Sequence, residues 1–121
     1  MGTKCGFYAC ALMTCVNALT SAAFSVAMLG SQPVTHTAAM YGVARSVPLA
    51  FAALIATAKR SYIAIAVLGA LLASIQACDA IVGWVSQDLL KTIGPLVLAV
   101  LTLVSVIVFS RSRLLDDTGT R

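Results

Sequence analysis

Charge is what this 121-residue chain has least of: 10% of its residues are Asp, Glu, Lys or Arg, and glutamate is absent. A soluble domain carries about a quarter charged residues, so 60% hydrophobic residues and a mean hydropathy of +0.99 indicate a membrane protein. The signatures of soluble enzymes are missing as well: no phosphate loop, no nucleophile elbow, no dinucleotide fingerprint. Histidine occurs once, as His36, with no second ligand near it in sequence. The four cysteines, Cys5, Cys10, Cys15 and Cys78, lack CxxC spacing. At five-residue steps the first three turn through roughly 140° each and cannot share one helix face. They read as small apolar fillers, so neither a metal site, a disulfide nor a cofactor is expected. The net charge of +4 does not point to nucleic acid, because the basic residues sit at segment ends rather than in a patch.

What is present is a set of four long apolar segments, at residues 7–29, 37–57, 62–84 and 94–110. About 20 apolar residues cross a bilayer. The expected fold is therefore all-α: a polytopic membrane protein with four transmembrane helices in an antiparallel bundle. Residues 1–110 form that domain and 111–121 a polar, disordered cytoplasmic tail. The first segment exceeds the 7–15 apolar residues of a signal peptide, so it is retained as a span. Breakers fill the first connection, from Gly30 to His36; Lys59-Arg60-Ser61 makes a tight second one; residues 85–93 read as a loop, with Pro95 in the first turn of the fourth span. Lys4, Lys59, Arg60, Arg111 and Arg113 fall on one side of this arrangement, and only Lys91 on the other. By the positive-inside rule both termini are cytoplasmic.

Two ionisable residues lie well inside apolar segments, Arg45 in the second and Asp79 in the third. Such groups are rare in membrane spans, face the bundle interior and mark functional sites. The second segment's six Val, Leu, Ile and Phe residues contribute about −2 to −4 kcal/mol towards insertion, and Arg45 opposes with up to about +3, so a neighbour must satisfy the guanidinium. Folding the second and third segments about the Lys59-Arg60 turn brings Asp79 within reach. Tyr41, four residues from Arg45, and Gln76, three from Asp79, share those faces by helical spacing. The first segment carries Thr14, Asn17, Ser21 and Ser25 in a single polar stripe. The expectation is a polar pocket in the outer half of the membrane. Asp79, Arg45, Tyr41 and Gln76 are its catalytic candidates, and Asn17, Ser21, Ser74 and Thr102 line it.

The chain resembles small four-span membrane proteins of the DoxX-like type. Their second span carries Tyr/Phe-Gly-x-Arg, matched by Tyr41-Gly42-Val43-Ala44-Arg45 with one extra residue, and their third ends near an Asp, matched in Asp79-Ala80-Ile81-Val82-Gly83. It is also similar in size and hydropathy to small membrane proteins of fungal polyketide pathways held to be epoxide hydrolases or cyclases. That resemblance implies a lipophilic small-molecule substrate and an endoplasmic reticulum membrane with the termini facing the cytoplasm, a bacterial inner membrane being the alternative. Asp79 would then activate a water or attack directly, and Tyr41 would donate to the developing alkoxide.

Two other functions compete. A small proton-coupled transporter would use Asp79 as its proton carrier, although the first span offers only Asn17 where multidrug exporters of this size hold a carboxylate. A non-catalytic membrane subunit is the third, and a homo-oligomer is compatible with all three.

Overall fold

The computed structural model describes residues 2–30 and 33–119, with side chains described for 4–30 and 36–115. Four long apolar helices account for nearly all of it: α1 (Gly2–Met28), α2 (Pro33–Ala58), α3 (Tyr62–Val85) and α4 (Leu89–Gly119). Each contains a stretch long and apolar enough to cross a membrane: Lys4–Met28, His36–Ala58, Tyr62–Val85 and Leu89–Leu115. The all-α expectation holds, and the helices are compatible with a four-span bundle. Ser31 and Gln32 of the expected first turn, and Thr120 and Arg121 of the tail, lie outside the described residues.

Helix ends differ from the sequence reading in instructive ways. The loop foreseen at 85–93 shrinks to three residues, Ser86, Gln87 and Asp88. Asp88 accepts the Lys91 backbone N–H at 3.3 Å, an N-cap bond that starts α4 at Leu89. Pro95 is consequently inside α4 rather than in its first turn. The tail is helical through Gly119 instead of irregular from Arg111.

Both tight connections use one solution. Ser61 N–H bonds Ala56 C=O and Arg60 N–H bonds Thr57 C=O; Asp88 N–H bonds Gly83 C=O and Gln87 N–H bonds Trp84 C=O, all at 3.0–3.1 Å. These are Schellman pairs. They place Arg60 (φ 51°) and Gln87 (φ 55°) in the left-handed region, where glycine is the usual occupant.

Helix α1 packs against all three others, α3 packs most broadly on α4, and α2 leans mainly on α1 and meets α3 least; among the described residues α2 does not approach α4. Small residues permit the close α1–α2 seam. Ala18, Ala50 and Ala53 are buried together with Leu72, and Gly42 lies against Ser25. At the other end of the bundle Phe7, Cys10, Ile65, Val106 and Phe109 form the second core cluster. Tyr62 stacks on Phe109 at 5.9 Å and Phe7 meets Tyr62 at 4.8 Å, while the Arg113 guanidinium sits 4.7 Å over the Tyr62 ring. This aromatic cluster closes the end where α1 and α3 begin and α4 finishes.

Polarity is distributed the wrong way round for water. Buried positions of α4 include Thr92, Ala99 and Thr102, whereas Leu96, Val97, Val100, Leu101, Leu103, Val104, Ile107 and Val108 are exposed. A soluble monomer rarely exposes so large an apolar surface.

Candidate functional site

Because α2 stands away from α4 and only grazes α3, the end of the bundle opposite the aromatic cluster is left open. A cavity of about 550 Å³ fills the space, with walls from all four helices. Its apolar lining includes Phe24 and Met28 of α1, Ala38 and Ala39 of α2, Val82 of α3, and Leu90 and Leu98 of α4.

Arg45 and Asp79 both line this cavity and meet across the gap between α2 and α3. Arg45 Nη2 lies 3.2 Å from Asp79 Oδ2 and 3.4 Å from Oδ1. One nitrogen addresses both oxygens, so this is a looser contact than the two-nitrogen fork that guanidinium and carboxylate can form. The side chains remain 48% and 36% exposed. A pair so open would add little stability in water; surrounded by hydrocarbon, each charge needs the other.

Behind the pair runs a buried chain of hydrogen bonds through three helices. Gln76 Nε2 donates to Asn17 Oδ1 at 2.6 Å and to Ser21 Oγ at 2.9 Å, and Asn17 Nδ2 donates to Thr102 Oγ1 at 2.9 Å. Asn17 and Thr102 are fully buried and Gln76 nearly so. Both Gln76 amide hydrogens being committed, its carbonyl oxygen is the acceptor left for a ligand, and Gln76 and Ser21 both reach the cavity wall. Ser25 and Ser46 add hydroxyls 3.3 Å apart on the α1–α2 side. One turn below Asn17, Thr14 Oγ1 is buried without a hydrogen-bond partner.

The structure thus brings Arg45, Asp79, Gln76 and Ser21 to one cavity, with Asn17 and Thr102 bonded behind them as structural supports. Two expected members are elsewhere. Tyr41 is 76% exposed and does not line the cavity: four residues along a helix is 400°, and the extra 40° carries it from Arg45's half-exposed shoulder to the outside. Ser74 is exposed and its hydroxyl bonds back to Ala70 C=O at 2.9 Å. It matches Arg45 in level, but two residues from Gln76 is 200°, the opposite face.

The sequence reading also passed over Lys91, taken for a loop charge, which lines the cavity mouth. Its ammonium pairs with Asp88 Oδ2 at 2.8 Å. That ammonium, and then the Lys91 backbone N–H, hold the Asp88 carboxyl below its ordinary pKa. Among the described residues no three His, Cys, Asp or Glu side chains gather into a metal-binding group, and the cysteines there are free thiols.

No protein-family model, curated protein or solved structure matches this chain.

Proposed function

We propose that the chain is a multi-pass membrane protein whose cavity binds a lipophilic small molecule and acts on it through the Arg45–Asp79 pair. The observation that carries this reading is the meeting of two ionisable side chains from the middle of apolar helices on the wall of a mostly apolar cavity. The apolar outer surface supports insertion as an antiparallel four-span bundle. The Phe7–Tyr62–Phe109 contacts gather the start of α1, the start of α3 and the end of α4, the end that carries Lys4, Lys59, Arg60, Arg111 and Arg113. By the positive-inside rule that end is cytoplasmic, and the cavity opens in the opposite half of the membrane.

The reaction is hydrolytic epoxide opening. The Asp79 carboxylate removes a proton from water as the water oxygen bonds to an epoxide carbon. The carbon–oxygen bond of the ring breaks, the Arg45 charge compensates the alkoxide, and solvent protonates it to give a vicinal diol while Asp79 returns the proton it took to solvent. Tyr41 has no part in this, since it faces away. The Gln76 carbonyl oxygen orients the water, its own amide being held by Asn17 and Ser21.

The test is turnover of a panel of lipophilic epoxides by protein in lipid nanodiscs, in ¹⁸O-labelled water. Wild type should yield labelled diol, and Asp79→Asn should lower the rate at least about 100-fold with an unchanged yield of inserted protein. Turnover surviving in Asp79→Asn, or none by wild type on any epoxide, would refute the chemistry.

A further inference from the structure

Besides Arg45 and Asp79, Lys91 is the charged side chain of the cavity lining. It is also the lone cation of its end of the bundle, every other lysine or arginine outside the apolar segments being at the opposite end or in the tail. An end otherwise free of cations keeps one, and it stands at the cavity mouth.

The local geometry leaves that ammonium available. Its contact with Asp88 is an exposed (i, i+3) pair, of a kind that water screens and that holds its partners weakly. Asp88 does not depend on it: the same carboxylate caps α4 through the Lys91 N–H, while the Asp88 backbone bonds Gly83 C=O and receives the Thr92 N–H. The ammonium can therefore change partners while the turn stays intact. The Lys91 backbone, by contrast, is fixed. A Cβ on Gly83 would lie 2.5 Å from the Lys91 carbonyl oxygen, so the two helices are in intimate contact there. Gly83 is four residues, about 6 Å, beyond Asp79 along α3. A cation at the mouth, an ion pair one turn deeper and apolar walls from Phe24, Met28 and Leu90 describe a site with one charged end.

We infer that the ligand of this cavity is an amphipath with a carboxylate end, which replaces Asp88 on Lys91 while its apolar body lies along Phe24, Met28 and Leu90 towards Arg45 and Asp79. This rests on the reading of the cavity as a lipophilic-ligand site. A guanidinium already opposed by Asp79 is left to the reacting centre, and Lys91 selects the acid.

The experiment uses full-length protein in phosphatidylcholine nanodiscs with two photoreactive probes, a diazirine-bearing dodecanoate and the matching dodecanol, and maps labelled peptides by mass spectrometry. The acid should half-saturate labelling of the cavity walls at a concentration at least about tenfold lower than the alcohol. Lys91→Gln should abolish that difference without changing the alcohol, and Lys91→Arg should keep it. Equal labelling by acid and alcohol in wild type, or a preference that survives Lys91→Gln, would overturn the inference alone. Failure of both probes to label the cavity would overturn the reading beneath it. Displacement of the acid by added phosphatidylglycerol would identify the occupant as bilayer lipid and overturn the assignment to a free acid.

Discussion

Replacing Gly83 by alanine should destabilise the protein although alanine is the better helix former. In isolation the exchange favours a helix by about 1 kcal/mol. Here the new Cβ would lie 2.5 Å from the Lys91 carbonyl oxygen, 2.6 Å from its carbon and 2.8 Å from the Thr92 nitrogen. All three are backbone atoms, so no rotamer change can relieve them, and α4 has to move. Overpacking of this kind costs about 1–3 kcal/mol; with nothing to yield, the upper end applies, and the net loss is about 2 kcal/mol. The contrast is Gly6→Ala, whose Cβ would meet Phe109 Cδ2 at an ordinary 3.5 Å and should gain roughly 0.5–1 kcal/mol. Unfolding by sodium dodecyl sulfate from mixed micelles, followed by fluorescence of Trp84, the single tryptophan, measures both. Equal effects of the two substitutions would refute the close α3–α4 contact and with it the placement of Lys91 at the cavity mouth.

Thr14→Val replaces a buried hydroxyl that has no partner with a methyl of similar size and should raise stability by about 1 kcal/mol in the same assay. Asp88 is depressed in the fold by Lys91, so its capping contribution is complete above the ordinary carboxyl pKa of about 3.9 and fades as pH falls below it. Protection of the Lys91 amide against hydrogen exchange, relative to its intrinsic rate, should fall below that value, and Asp88→Asn, a cap without a proton to gain, should flatten the profile. Gln87→Gly removes a side chain from a left-handed position and should stabilise the α3–α4 turn by about 1 kcal/mol, read as a slower loss of structure in detergent.

The part of the fold legible in the sequence was the part set by hydropathy and by rare charges. Four apolar runs gave four helices, and the expense of Arg45 and Asp79 in such runs is why they had to meet. The polar stripe of Asn17 and Ser21 was readable from its period, and Gln76 and Thr102 supply its partners. Angular detail was not readable. Tyr41 was assigned from spacing alone, yet a helix face is narrow and Arg45 already stands at its shoulder. Ser74 was assigned to the pocket lining and lies on the opposite side. The start of α4 was hidden because Asp88, a charge in a short polar stretch, looks the same as a loop residue until its carboxylate is seen capping Lys91. Pro95 inside a helix was hidden for a related reason. It has no N–H to give the Lys91 carbonyl, and Gly83 of a different helix packs against that carbonyl, a pairing no local pattern reveals.

The contact between Arg45 and Asp79 is tested most directly by a double-substitution cycle in bilayers, with Arg45→Met, Asp79→Leu and both together. Each single change strands a charge among apolar helices and should cost about 2 kcal/mol, the partial exposure of the pair lowering the 3–5 kcal/mol of a fully buried one. The double change should return stability to that of wild type while epoxide turnover is lost. Single effects that simply add in the double variant would mean that the two side chains do not pair, contrary to the account.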